Sequence, residues 1–273
     1  DGTTEAQKTT VKNSIVQDVS NNLSILSIDT IFEDPQTTYL EIVLTFNFDP
    51  NLTGQTVKST EAVVFSQMQS YVNNNLKKFG GIFRRSELLG DIDDINDAVL
   101  NSRASVKLQQ RFVPNLLQST SYKVYFPVEL ASSPTEYIVT SSTFVFNDKV
   151  CFIRNALSNT KLQIVNSLGS VEIDNIGSYE PLTGTVNLTG FAPTAITAGT
   201  NYIKLTCTPA NESTVRPLRS YILDLDEDTS FATSVVDRQR TEITLGGASG
   251  VTSSSTGAAN TYVRSPSIPS SGY

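Results

Sequence analysis

Histidine and tryptophan are absent from the 273 residues, cysteine occurs twice and methionine once. Each shortage closes a class of function. Without histidine there is no Ser-His-Asp or Cys-His nucleophile, none of the usual zinc sites, and not the commonest general base. Only carboxylate, Lys or Tyr chemistry stays open. Cys151 and Cys207 are far apart in a long chain. They do not make a disulfide framework and read as two small buried hydrophobes in a reducing compartment. Charged residues amount to 17%, below the roughly 25% of an average globular protein. Ser, Thr and Asn fill the gap, a mix that suits surfaces packed against other proteins. The balance is acidic, with a net charge of -7, which argues against nucleic-acid binding, where a basic patch is the rule. No window reaches the ~18 consecutive apolar residues of a membrane span. No signal peptide is visible and the first residue is Asp1, so either the N-terminus has been removed or the chain is part of a longer protein.

What is present separates into three textures. In residues 1–116, apolar residues at Val11, Ile15 and Val19 give a helical stripe over 5–19, and a strand is expected at 23–31. Residues 39–48 alternate cleanly, with Leu40, Ile42, Leu44, Phe46 and Phe48 on one side, as in a sheet covered on one face. Val64, Met68, Tyr71, Val72, Leu76 and Phe79 predict a long helix over 57–79. Lys77 and Lys78 would sit in its last turn, and Gly80-Gly81 would stop it. Ser86 is the expected N-cap of a short helix through Ile95. A strand over 101–113 follows, with Ala104, Val106, Leu108 and Phe112 facing one way and Arg103, Ser105, Lys107, Gln109 and Arg111 the other.

These elements define a small α/β sandwich domain, the α+β assembly domain of residues 1–116. Residues 117–245 are short apolar runs between turn signals, including Asn147-Asp148 and Pro181-Leu182-Thr183-Gly184. They predict a β-rich domain of sandwich or barrel type. Residues 246–273 form a Ser/Gly-rich C-terminal tail that cannot bury enough apolar surface to order itself alone. The fold class is therefore α+β: a small α/β sandwich, a β-rich region and a flexible tail.

Three charged constellations have both a functional and a plain reading. Asp224, Asp226 and Asp228 have the spacing of the first calcium ligands of an EF-hand loop. The sixth loop position is Thr229 where Gly is needed, the twelfth is Val235 where Glu is needed, and an acidic turn between strands is the better reading. Asp91, Asp93, Asp94 and Asp97 read as a charged helix face or as part of an intersubunit salt-bridge network, with Arg84, Arg85 and Arg103 near in sequence. Arg103, Lys107 and Arg111 form a basic row on one strand face, solvated or facing a partner. The candidate interface residues are Arg84, Arg85, Arg103, Lys107 and Arg111. No catalytic, cofactor or metal residue is assigned.

One pattern of residues resembles a known family. It runs Tyr39-Leu40-Glu41, then Phe48-Asp49-Pro50-Asn51-Leu52-Thr53, Asn75-Leu76-x-x-Phe79, Phe83-Arg84-Arg85-Ser86-x-Leu88-Leu89 and Ile92-Asp93-Asp94. Ala98-x-Leu100-Asn101-Ser102-Arg103 and Gln110-Arg111 complete it. A second, shorter match is Ile176-Gly177-x-Tyr179 with Thr183-Gly184-x-Val186-Asn187-Leu188. The pattern is similar to the baseplate wedge protein of T4-like contractile-tailed phages, gene product six, related to the J-type baseplate proteins. The resemblance implies a structural virion protein that does no chemistry and needs no cofactor. It also implies the C-terminal portion of a longer protein, located in the tail baseplate and assembled in the host cytoplasm. Expected partners are copies of itself, as a dimer within a ring, and other wedge proteins, with rearrangement on sheath contraction and no nucleic acid or membrane. Two other classes stay in view: an adhesin binding host glycan or protein through the β-rich half, and a carbohydrate-active enzyme built on the Asp clusters.

Overall fold

The computed structural model describes residues 5–22, 35–197 and 199–237. The expected strands at 23–31 and 242–245 and the tail 246–273 lie outside the described residues. The fold is mostly β, with one large sheet.

The alternating segment becomes strand β1, Gln36–Phe48, and every second residue from Thr38 to Phe48 is buried. Strand β2 (Phe83–Arg84) and the long strand β3 (Val99–Phe112) follow. β3 runs antiparallel to β1, with Leu44 opposite Ala104, Ile42 opposite Val106 and Leu40 opposite Leu108. Before β1 stands helix α1, Glu5–Asn22, on which Val11, Ile15 and Val16 are exposed. Between β1 and β3 lie helices α2 (Val57–Asn75) and α3 (Arg85–Asp93). They cover the apolar side of the pair with Val64, Met68, Tyr71, Val72, Leu88 and Ile92, all buried. Each such side chain contributes about 1.5–3 kcal/mol on leaving water.

Both helices end or begin elsewhere than their sequence suggests. α2 stops at Asn75, with Leu76 as its C-cap. Three consecutive asparagines, poor helix formers, close it before the lysines. Lys77 therefore lies outside the helix and pairs with Asp224 at 3.0 Å. Phe79, expected on the apolar stripe, is exposed. The chain then turns at Gly80, which has φ +73°, and Gly81 packs so tightly that a Cβ would lie 2.7 Å from the Leu76 carbonyl. Ser86 is not the N-cap of α3; Arg84 is, with no side-chain cap bond. The cause is tertiary. β2 pairs with Thr214–Val215, and the Arg85 amide donates to the Ser213 carbonyl at 2.9 Å. This holds the backbone extended up to Arg84.

The β-rich segment supplies β4 (Thr120–Tyr125), β5 (Val139–Ser141), β6 (Phe144–Phe146), β7 (Lys149–Asn155), β8 (Lys161–Asn166), β9 (Val171–Glu180) and β10 (Thr185–Phe191). β11 (Ala195–Ile196), β12 (Ile203–Cys207), β13 (Thr214–Val215), β14 (Tyr221–Leu225) and β15 (Phe231–Val236) follow. The Asn147-Asp148 turn forms as its residue types suggest. Both residues have positive φ, 48° and 61°, the backbone of a tight hairpin between β6 and β7. The β9–β10 hairpin also forms, around 181–184.

From β3 the sheet continues through β12, β5, β7, β8, β9 and β10 to β4. It curls until β4 comes back beside the end of β3. There Phe112, Tyr122, Phe144 and Phe191 stack with ring centroids 5.1–6.2 Å apart. Within the β9–β10 hairpin only glycine fits at position 177: its φ is +146°, and a Cβ would lie 1.9 Å from the Asn187 carbonyl oxygen. Cys151 and Cys207 are both buried and free.

The other end of the sheet was not visible in the sequence. β14 and β15 leave the β-rich segment and run parallel to β1, β14 beside Gln36–Leu40 and β15 beside Val43–Phe48. One sheet thus crosses the expected boundary at 116/117.

The face assignment gives a direct test. Leu44→Ala removes a fully buried side chain and is expected to cost about 3 kcal/mol. Val43→Ala, one residue along on the uncovered face, is expected to cost under about 1 kcal/mol. Urea unfolding of both variants measures the difference, and equal losses would mean that the faces are assigned wrongly.

Candidate assembly surface

The side of the sheet opposite α2 and α3 carries no helix among the described residues. Val43, Thr45 and Asn47 of β1 lie there, with Arg103, Ser105 and Lys107 of β3 and Phe231, Thr233 and Val235 of β15 in register beside them. Arg103, Phe231 and Val235 are exposed. Thr45 and Thr233 approach hydroxyl to hydroxyl at 3.5 Å. This is a neutral, partly apolar surface bearing a few charges.

One end of this surface is closed by the segment between β14 and β15. Five residues, Asp226 to Ser230, stand where β1 advances only from Leu40 to Val43. The extra length bulges out of the ladder. Ser230 takes over the lost pairing: its hydroxyl accepts from the Ile42 amide at 3.0 Å, and the Asp226 amide donates to the Leu40 carbonyl at 2.9 Å.

The bulge carries the Asp226 carboxylate across β1 to β3 and β12. Lys204 Nζ reaches Oδ2 at 2.8 Å and Arg111 Nη2 reaches Oδ1 at 3.1 Å. The Gln109 amide and the Thr229 hydroxyl donate to Oδ2 at 2.5 and 2.8 Å. The Arg111 guanidinium lies 3.5 Å from the centroid of the Tyr39 ring. Asp226 is 2% exposed. Burial pushes its carboxyl upward, but the donated bonds from Lys204, Gln109 and Thr229 outweigh that and hold it below the usual carboxylate range. Burial raises Glu41 next to this hub, with Lys107 pulling it back and the Asp226 charge adding to the rise.

The five candidate residues separate. Arg111 belongs to the hub, so the expected basic row loses its third member to an intramolecular ion pair. Lys107 stands opposite Glu41 in the ladder without an ion pair, and Arg103 stands opposite Thr45 with no polar partner among the described residues. Arg84 and Arg85 lie on the helix side. Arg84 meets Glu87 at 3.7 Å, while Arg85 meets Glu212 at 3.8 Å and donates to Ser213 at 2.7 Å. None of the three expected arginines neutralises Asp91, Asp93, Asp94 or Asp97.

The calcium-like spacing also dissolves. Asp224 pairs with Lys77, Asp226 is the hub, and Asp228 is an exposed partner of Lys204 at 3.3 Å. Among the described residues no group of His, Cys, Asp or Glu is arranged to hold a metal. The link from Asp226 to Gln109 and Lys204 could not be read in the sequence, because these residues are 117 and 22 positions away.

A shallow groove of about 330 Å³ lies elsewhere, lined by residues such as Val128, Pro209 and Arg216. The exposed aromatics Phe79, Tyr125, Tyr137 and Phe231 are not among its lining. No helix among the described residues is long and apolar enough to cross a membrane.

The sheet is thus one-sided, closed at one end by an internal ion pair, and presents a broad, nearly neutral face. The family evidence is specific. Residues 36–111 match the family model described as baseplate structural protein gp6, C-terminal domain III, and the chain carries a gp6-like baseplate domain. That match begins with β1 and ends within β3. No curated protein matches the chain.

The hub sets an acid dependence. A carboxyl whose folded pKa is depressed contributes stability above its unfolded value, about 3.9, and loses it as pH falls through the folded value. Asp226→Asn should therefore narrow the stability difference from wild type as the pH drops below about 4. Asp226→Ala near neutral pH leaves Lys204 and Arg111 without their anion and should cost about 3 kcal/mol. Denaturant midpoints from pH 3 to 7 measure both. A pH-independent gap between wild type and Asp226→Asn would show that the carboxylate is not held by these cations.

Proposed function

We infer that the chain is a baseplate wedge subunit of a contractile phage tail. It works by contact alone: it associates with copies of itself into a ring, meets other wedge proteins, and shifts against them when the sheath contracts. The subunit assembles in the host cytoplasm before joining the virion. The observation that supports this most is the coincidence of the gp6-like match with a continuous run of elements, the antiparallel β1–β3 pair and the helices that cover it. Residues 36–111 take in β1, α2, α3 and β3 with almost no remainder. The uncovered β1–β3–β15 face adds to it, since an extended one-sided sheet with few charges is suited to packing on another protein.

Nothing favours the adhesin or the carbohydrate-active enzyme in the same way. The exposed aromatics stand on separate elements. Of the carboxylates weighed for chemistry, Asp226 is consumed by ion pairs.

Immunogold labelling of the virions that contain this chain tests the assignment. Gold is expected at the tail end distal to the head, in both extended and contracted particles. Label on the head, along the sheath or at fibre tips would contradict it, and fibre-tip label would favour the adhesin.

A further inference from the structure

Helix α1 and the open sheet face both expose apolar side chains. α1 is rich in poor helix formers, among them Thr9, Thr10, Val11, Asn13, Ser14, Ile15 and Val16. A helix of this length and composition does not sustain itself in water and needs an apolar surface to pack on. Val11 and Ile15 share one side of it, with Val16 next to them, and they are 57%, 43% and 38% exposed. The open face has the converse shortage. β14 and β15 run parallel to β1, and parallel strands are ordinarily covered on both sides. Here α2 and α3 cover one side, while on the other Phe231 and Val235 are 48% and 45% exposed, in register beside Val43 and Asn47. Residues 23–35 join α1 to β1, thirteen residues that reach about 45 Å at most. Val43 stands seven residues into β1 from Gln36, about 24 Å along the strand, so the face lies within reach of α1.

We propose that in the free chain α1 packs across the open β1–β3–β15 face, with Val11, Ile15 and Val16 against Val43, Phe231 and Val235. The tether decides that the occupant is the chain's own helix. A segment held within about 45 Å competes at an effective concentration on the order of 1 mM, far above that of a second copy in dilute solution. A few aliphatic side chains make a modest contact, so α1 is displaceable. A baseplate neighbour that packs on the same face must first remove it, and until then the apolar surface is shielded from unspecific association. That last step rests on the assembly role in the proposed function; the docking of α1 does not.

Hydrogen exchange of the full chain in dilute solution tests the contact. Amides of residues 11–16 are expected to exchange about tenfold or more slowly than in a free peptide of residues 5–22. Phe231→Ser/Val235→Ser alters two exposed positions of the sheet and should return α1 to the free-peptide rate, while the amides of β3 stay protected. A reporter thiol reads the contact from the other side. With Val235→Cys in the chain, both native cysteines being buried, alkylation should quicken about tenfold when Val11→Ser/Ile15→Ser is added. This second pair of variants does not depend on how well the serine-substituted sheet folds. Free-peptide exchange of α1 in wild type would overturn the proposal. So would α1 protection indifferent to the sheet substitutions together with a thiol rate indifferent to the α1 substitutions. Protection that appears only as concentration rises would give the face to α1 of a second copy and overturn it as well. Each of these results leaves the wedge assignment standing. Gold label away from the baseplate would instead remove the displacement step and leave the docking of α1 to be judged by exchange.

Discussion

The Asp226 carboxylate is buried among Lys204, Arg111, Gln109 and Thr229, and the arrangement of the sheet depends on it. Its ligands come from β3 and β12, while its own backbone lies between β14 and β15. An unpaired carboxylate at that depth would cost several kcal/mol, so the bulge is stable only if those strands are in place. Conversely, Lys204 and Arg111 would be poorly compensated without the bulge. The interaction therefore makes the two ends of the sheet conditional on each other, and it fixes where the parallel strand beside β1 breaks and resumes.

That dependence explains the two faces of the unit. The side under α2 and α3 is closed by apolar packing from Leu40, Leu44, Met68 and Leu88, and α2 is tied to β15 through Glu61 and Ser234. Among the described residues, the opposite side is sealed at the Asp226 end. Beyond it Arg103 and Val235 are exposed. Rigidity at one end and exposure at the other suit a part that must present a fixed surface to neighbours.

Local pattern carried much of this fold into the sequence, because β1 and β3 follow period two along their length and Asn147-Asp148 supplies the positive-φ turn by residue type. The gp6-like resemblance was likewise legible, mainly from residues that fall within the matched segment 36–111. What failed was non-local. Nothing near Tyr221 says that it will lie beside Gln36, and parallel pairing leaves no turn to read. Ser86 looked like a helix cap, but β13 held Arg84 extended and moved the start of α3. Arg111 looked like a surface charge because its period-two position is polar, while its anion comes from 115 positions away.

The central physical claim is that the gp6-like segment is not self-sufficient and requires the β12–β15 portion to complete its sheet. The most direct measurement compares thermal unfolding of residues 36–111 produced alone with residues 36–237. The longer piece is expected to melt in one cooperative transition. The shorter one, without Leu223, Leu225 and the Asp226 hub, is expected to show no cooperative transition. A sharp transition in residues 36–111 alone, at a temperature close to that of the longer piece, would contradict the claim.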